Sequence, residues 1–268
     1  MTAPVSPAPD AITGVVRGVR AEGVRTGGRS RLWAVIMPAA VGIPVVITLG
    51  IALIAEAFAR IPGQISVLQV STSNAAYWVI TITTTLVAVA AADGQASESR
   101  HGTAEHVRLA MPSRWSMLTA RWVFYGGLGA VIAALTLIGV LSALPAVAPT
   151  VYGTVSWTDP VGLRLLWTVP LLAVFAAGAG VGVGALVRSP LAAVSAILLW
   201  AFVCETAAGY LPSGATLQRF MPMLNAVYAT GQDTVLTPPW GQNPALLYTC
   251  AVFTTIFAIA AIERTIRK

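Results

Sequence analysis

Charged residues are scarce in this chain, and their scarcity excludes an ordinary soluble domain. Only 10% of the 268 residues are Asp, Glu, Lys or Arg, whereas 56% are hydrophobic and the mean hydropathy is +0.77. Soluble globular domains carry about 25% charged residues. A chain this apolar is expected to fold with the lipid bilayer as its solvent, as a multi-pass membrane protein.

Lysine is nearly absent, and its absence excludes the commonest nucleotide site. The single Lys is the last residue, Lys268, so the chain contains no GxxxxGK[ST] phosphate-binding loop. We therefore expect no ATPase site, no other enzyme site and no bound cofactor in this chain. The other fifteen basic residues are Arg. With abundant Ala, Gly and Val, this usage is typical of a GC-rich bacterial genome.

Cysteine and histidine are equally rare, which leaves little for redox or metal chemistry. Cys204 and Cys250 both fall within apolar stretches and are expected to act as small apolar residues. His101 and His106 are five residues apart, which separates them by about 140° on a helix. A metal site is therefore not expected.

A cleavable signal peptide is not expected, because the first apolar stretch begins too far from the N-terminus and is too long for the apolar region of such a peptide.

Six apolar stretches are long enough to cross a bilayer, and each is predicted to be a helix. They cover residues 32–58, 75–92, 116–144, 161–187, 190–208 and 244–262. Residues 32–268 are thus predicted to form a single transmembrane domain. Residues 1–31 are predicted to be a disordered tail and an amphipathic helix on the cytoplasmic membrane surface. Ile12, Val15 and Val19 recur there at helical spacing, although a flexible basic leader is the alternative.

Two further features are read from composition. Residues 209–243 mix apolar side chains with several prolines, which predicts short re-entrant or interfacial helices before the last span. The fourth span carries glycine at every second position from Gly178 to Gly184. No strand precedes this run, so it is not a nucleotide loop, and we expect close packing of helices instead.

The basic residues are distributed unequally between the two sides of the predicted membrane domain. With six spans, thirteen of the sixteen fall on the side of the termini, and Arg60, Arg164 and Arg219 fall on the other. Positive residues are enriched on the cytoplasmic side. Both termini and the segment 93–115 are therefore expected in the cytoplasm. The bases form several short clusters rather than one patch, so nucleic acid is not an expected partner.

Segment 93–115 is the one long polar stretch with a span on each side. It reads DGQASESRHGTAEHVRLAMPSRW. Thr103 is suited to cap a short helix that Pro112 would end, and such a helix would protrude into the cytoplasm. It either docks a soluble partner or is a solvated loop held by internal ion pairs and lipid headgroups.

The pattern resembles the loop between the second and third membrane helices of type-2 ABC exporter permeases. In that family an acid and a basic pair precede Gly-Thr-Leu-Glu, and Pro-x-Ser/Thr-Arg follows. The matching residues here are Glu98, Arg100, Gly102, Thr103, Glu105, Pro112 and Arg114. The sequence departs from the pattern at Ala104, where Leu is usual, at His101, which interrupts the basic pair, and at Arg121, where Lys is usual.

The resemblance implies a role and partners. Such a permease would carry an amphiphilic substrate (a drug, an antibiotic or a lipid-like molecule) outward across the bacterial plasma membrane. It would pair with a second permease copy or a homologue, and with two ATPase subunits that bind Mg-ATP. Segment 93–115 would couple the permease to the ATPase. The alternatives are a membrane anchor or sensor that recruits a cytosolic protein, and a subunit that exports lipid-linked glycans.

Polar residues inside the spans indicate a candidate substrate path. Glu205 lies fifteen residues into the fifth span. This is about 22 Å from the start of the span, in the outer third of a hydrocarbon core about 30 Å thick. Glu205 either lines a path or bonds to backbone or Arg219 at the outer interface. Thr81 and Thr84 lie on one face of the second span, which either packs closely or lines the path.

Overall fold

A computed structural model of the chain describes residues 11–27, 30–61, 69–101 and 114–266. Within these ranges the regular structure is helical, and six helices are long and apolar enough to cross a membrane. The predicted all-α, multi-pass membrane fold is therefore confirmed. The predicted disordered tail, residues 1–10, lies outside the described residues.

The helices follow the predicted apolar stretches. In chain order they are α1 (Ala11–Thr26), α2 (Leu32–Ala59), α3 (Thr84–His101), α4 (Arg114–Val147), α5 (Pro149–Tyr152), α6 (Pro160–Val187), α7 (Pro190–Ala208), α8 (Gly214–Gln218), α9 (Pro222–Ala229) and α10 (Gln242–Ile266). The spanning helices are α2, α3, α4, α6, α7 and α10. Wider π-helical turns open α2 (Leu32–Ile36), run directly into α3 (Val79–Thr83) and interrupt α7 (Trp200–Cys204).

Proline and a capping side chain define where the two central crossing helices begin. Pro160 opens α6, and the Asp159 carboxylate accepts a hydrogen bond from the amide of Gly162. Pro190 opens α7, and the Ser189 hydroxyl caps it in the same manner. Proline suits the first helical position because its missing N–H would have no partner there. The tight turn between α6 and α7 is thus encoded locally.

Helix α6 lies at the centre of the bundle and packs against α3, α4 and α10. Its glycines make this packing close, as predicted. A methyl group added to Gly180 would collide with the carbonyl oxygen of Ala88 in α3, and one added to Gly178 would collide with the Trp122 indole of α4. Small residues of this kind let helix backbones approach one another inside membranes.

Helix α3 extends further than predicted at the end of the bundle that carries α1, which we call the α1 end. The sequence predicts that the second span stops at residue 92, yet the helix continues to His101. Polar side chains there find partners on neighbouring helices. Gln95 is fully buried and accepts a hydrogen bond from Arg121 of α4. Part of the polar stretch is therefore packed inside the protein rather than exposed to water.

At the opposite end, which we call the loop end, the segment after α9 folds back over the approach to α3. The Gln232 side chain accepts a hydrogen bond from the amide of Ala76 and donates one to the carbonyl of Thr72, both at 2.9 Å. The Asp233 carboxylate accepts one from the Ser73 hydroxyl at 2.6 Å. These bonds tie the segment after α9 to the residues that lead into α3.

Candidate functional site

A cavity of about 390 Å³ lies between α3, α6, α7 and α10. We call it the apolar cavity, because nearly all of the side chains in its wall are hydrocarbon. These include Ala88 of α3, Ala176, Ala179, Gly180 and Val183 of α6, Ala196, Ile197, Trp200 and Ala201 of α7, and Val252, Phe253 and Ile256 of α10. The polar exceptions are Thr84 and Thr85 on α3 and Glu205 on α7, and the start of α9 lies at the loop end of the wall.

Glu205 is 5% exposed, and its carboxylate accepts hydrogen bonds from neutral groups. The amide of Met223 donates to both carboxylate oxygens, at 2.9 and 3.1 Å, and the indole N–H of Trp200 donates at 2.9 Å. Pro222 has no N–H, so Met223 supplies the first free amide of α9. Glu205 therefore caps the start of α9, where the helix dipole favours a negative charge.

The geometry answers one of the questions that the sequence left open. Of the two proposed partners at the outer interface, backbone is the one that Glu205 binds, whereas the Arg219 guanidinium donates to the carbonyl of Thr237 at 2.6 Å. Bonding to backbone does not withdraw Glu205 from the cavity, because the same residue forms part of the cavity wall. Glu205 thus binds backbone and also lines a cavity, and its place in a substrate path stays a prediction.

A second cavity, of about 270 Å³, lies on the loop-end side of Glu205. It has Tyr77, Thr81, Thr206, Gln218 and Thr234 in its wall, so we call it the polar cavity. It shares Ala201, Glu205 and Met223 with the apolar cavity. The carboxylate therefore stands between a hydrocarbon-lined space and a more polar one.

The structure brings the three predicted path residues to this one place. Thr84 lines the apolar cavity, Thr81 lines the polar cavity, and Glu205 lines both. The hydroxyls of Thr81 and Thr84 donate to the carbonyls of Tyr77 and Ile80, one turn back on their own helix. Each hydroxyl oxygen retains acceptor capacity, because a hydroxyl carries two lone pairs.

Irregular helix geometry flanks both cavities. The π-helical turn Val79–Thr83 leads into the cavity face of α3, and the π-helical turn Trp200–Cys204 ends immediately before Glu205. The turn in α7 also contributes Trp200, whose indole holds the carboxylate. Single π-helical turns occur frequently at functional sites, because the extra residue reorients the side chains around it.

The predicted coupling residues lie mostly outside the part of the chain that the structure describes. Gly102, Thr103, Glu105 and Pro112 belong to residues 102–113, which are not described. The backbone places Glu98 and Arg100 in the last turns of α3, and Arg114 at the first residue of α4. The helices on either side of the segment are thus in place, and the docking role stays a prediction.

Sequence reasoning missed a buried polar cluster at the α1 end, formed by Glu22, Arg25, Gln95, Arg121 and Tyr125. We call it the α1 cluster. The Arg121 guanidinium, which is 1% exposed, donates to Glu22 at 2.5 Å and to the Gln95 side-chain oxygen at 2.6 Å. Arg25 donates to the other Glu22 oxygen at 2.8 Å and to the Tyr125 hydroxyl at 3.3 Å.

The α1 cluster joins α1 to α3 and α4 through charge. Burial lowers the pKa of Arg25, but the charges and hydrogen bonds of Glu22 and Tyr125 raise it by more, so the pKa lies above its ordinary value and Arg25 stays charged. One signal in the sequence could have revealed the cluster. Arg121 lies inside a predicted span, where an arginine needs an acidic partner, and Glu22 is the only acid of α1.

Comparison of the chain with protein-family models, curated proteins and solved structures yields no match. The argument for function therefore rests on the sequence pattern and the geometry described above.

Proposed function

We propose that this chain is the permease subunit of an ABC exporter in the bacterial plasma membrane, driven by separate ATPase subunits. One observation carries the proposal. The segment with Gly102-Thr103-x-Glu105 and Pro112-Ser113-Arg114 joins the second and third spanning helices, which is where type-2 ABC exporter permeases carry this pattern. Six spanning helices preceded by a short helix agree with the same family layout.

The proposal includes an orientation. Thirteen of the sixteen basic residues belong to the termini, to the segment between α3 and α4, and to the turn between α6 and α7. The positive-inside tendency supports a cytoplasmic location for all of these. In this orientation the α1 end faces the cytoplasm, and the loop end, with Glu205 nearby, faces outward.

The proposed complex contains a second permease copy or homologue and two ATPase subunits that bind Mg-ATP. Coupling passes through Glu98, Arg100 and the residues after them, up to Arg114. Helices α3 and α4 continue from this segment into the bundle, and α3 carries Thr84 and Ala88 in the wall of the apolar cavity. A displacement of α3 by an ATPase would therefore act directly on that wall.

The apolar cavity supports an amphiphilic substrate. Its volume of about 390 Å³ lies within the range of small-molecule sites, about 300–1,000 Å³. Hydrocarbon walls with one carboxylate suit a drug-like or lipid-like molecule. They offer few hydrogen-bonding groups for the hydroxyls of a glycan, which places the lipid-linked glycan alternative second.

The test is co-expression of the chain with an ATPase encoded beside its gene, followed by purification and measurement of ATP turnover in membranes. We expect the ATPase to copurify, and we expect Glu98→Ala and Glu105→Arg variants that still fold to lose coupled turnover. Glu263→Ala is the matched control. Glu263 also lies at the α1 end, but outside segment 93–115, and turnover is compared only in a Glu263→Ala variant that still folds.

Two results would count against the proposal. Failure of the ATPase to copurify with a folded permease contradicts the docking assignment. Copurification with turnover that is the same in the two variants and in the control indicates a membrane anchor or sensor that recruits a cytosolic protein without driving transport.

A further inference from the structure

Glu205 differs from the other buried glutamates in the described residues because it has no cationic partner. Glu22, Glu56 and Glu205 are each about 5% exposed or less. Glu22 pairs with Arg25 and Arg121, and Glu56 pairs with Arg60. Glu205 forms no ion pair with any residue that the structure describes, and it accepts hydrogen bonds from backbone N–H groups at the start of α9 and from an indole N–H.

An ionised carboxylate without a cationic partner is costly in the low dielectric of a membrane protein. Neutral donors, from Trp200 and the start of α9, offset part of this cost. These hydrogen bonds take up most of the roughly four acceptor positions of the carboxylate, but none of them supplies a positive charge beside the two cavities that Glu205 lines. The site therefore has an unmet preference for positive charge.

The length and lining of the apolar cavity also limit the kind of ligand that it can bind. On α7 its lining runs from Ala196 to Glu205. Nine helical steps at 1.5 Å correspond to roughly 13 Å along the axis of α7. The carboxylate lies at one end of this length and hydrocarbon occupies the rest. Trp200 and Phe253 in the wall add aromatic rings, which attract cations through their electron-rich faces.

We propose that the apolar cavity binds a lipophilic cation, with the positive group against Glu205 and the apolar body between α3, α6, α7 and α10. Lipophilic quaternary or protonated amines and phosphonium ions are the chemical class that satisfies these features together. The inference names a substrate class for the proposed exporter, and for the step of transport it rests on that proposed function. Binding itself needs only this chain.

The probe is tetraphenylphosphonium, a rigid quaternary cation, and its partner is tetraphenylborate, which has nearly the same shape and the opposite charge. Equilibrium binding of each is measured on the purified full chain in micelles, without any ATPase subunit. We expect the chain to bind the cation specifically and to discriminate against the anion. Glu205→Gln should weaken binding of the cation about tenfold or more, because the electrostatic attraction between the carboxylate and the cation is lost.

Two variants make the result specific. Glu56→Gln is the matched control, since Glu56 is also buried near the loop end but is paired with Arg60, and we expect its affinity for the cation to equal that of the wild type. Ala196→Phe fills the cavity from an exposed position on α7, so it should reduce binding without disturbing the folded bundle. Thermal unfolding of each variant shows that it is folded.

The inference is overturned if folded Glu205→Gln binds the cation as tightly as the wild type, or if tetraphenylborate binds the wild type equally well. It is also overturned if Ala196→Phe leaves binding of the cation unchanged. The proposed function fails separately. A chain that binds the cation at Glu205 but does not engage an ATPase keeps this site and loses the assignment as an ABC permease.

Discussion

Two glutamates of this protein are buried to the same extent, but only one of them is paired with arginines. Glu22 in the α1 cluster and Glu205 beside the cavities are each 5% exposed. The charge of Glu22 is balanced by Arg25 and Arg121 within the fold. The charge of Glu205 is met by backbone N–H groups and an indole N–H, and an open space of about 390 Å³ lies next to it.

The difference separates a structural role from a functional one. Groups that are bound to one another, as in the α1 cluster, hold α1, α3 and α4 in a fixed arrangement, and breaking one of their ion pairs is expensive. At Glu205 the start of α9 and the Trp200 indole offset part of the cost of the buried charge, and the proposed cationic ligand would offset more of it.

Arg121→Ala removes one of the two arginines that are paired with Glu22. Glu22 then keeps only Arg25, which is partly exposed, and Gln95 loses its donor. Removing one partner of a buried pair costs about 3–5 kcal/mol of the free energy of unfolding. Denaturant unfolding in micelles measures the change. The control is Arg188→Ala, whose exposed 4.0 Å pair predicts a loss below about 1 kcal/mol. Equal losses in the two variants would contradict the structural role of the α1 cluster.

Ala201→Lys makes the opposite change, because it gives Glu205 a cation of its own. Position 201 is one turn before Glu205 on α7 and lines both cavities, so the introduced ammonium can reach the carboxylate. We expect the affinity for tetraphenylphosphonium to fall about tenfold or more. Ala201→Met is the control, since it adds similar length without charge. A loss in the lysine variant no greater than in the methionine variant would show that charge at Glu205 is irrelevant to binding.

Glu205→Gln tests stability rather than binding. The amide oxygen still accepts from Met223, and an unpaired charge is removed, so the free energy of unfolding should change by less than about 1 kcal/mol. Glu22→Gln, measured in the same denaturant series, should be clearly more destabilising, because it leaves Arg121 buried without its carboxylate. If Glu205→Gln lowers the free energy of unfolding as much as Glu22→Gln does, the two glutamates do not have different roles in stability.

Arg60→Ala should have the smallest effect. The side chain of Arg60 is 67% exposed, and its partner Glu56 also accepts from the amides of Thr150 and Val151 at the start of α5. Exposed ion pairs contribute about 0–1 kcal/mol. The same unfolding measurement applies. A loss above about 2 kcal/mol would mean that Glu56 depends on Arg60 as Glu22 depends on Arg121, and Glu56 would then be a poor control for the binding experiment.

The six spans and their packing could be read from the sequence because each depends on local composition. Length and hydropathy identify a spanning helix, and the run from Gly178 to Gly184 identifies the helix that others approach most closely. The continuation of α3 beyond residue 92 was not predicted, because its polar residues were assigned to water. Gln95 instead finds a partner in Arg121, 26 residues away, and no local pattern contains that pairing.

The candidate site was predictable only in part. Glu205 is conspicuous in an apolar span, and Thr81 and Thr84, which lie on one face of the second span, line the same two cavities. Its hydrogen-bond partner Met223 was not predictable, because residues 209–243 have no helical periodicity from which the start of α9 could be placed. The α1 cluster joins Glu22 to Arg121 across 99 residues, and such long-range pairs need the fold itself.

ATP turnover by the assembled complex tests most directly whether the Glu205 site is where a transported cation binds. The permease and its ATPase are reconstituted in membranes, and turnover is measured against the concentration of tetraphenylphosphonium and, separately, of tetraphenylborate. The account predicts that the cation raises turnover in a saturable way and that the anion does not. An active complex whose turnover is unchanged by the cation, or is raised equally by the anion, would contradict it.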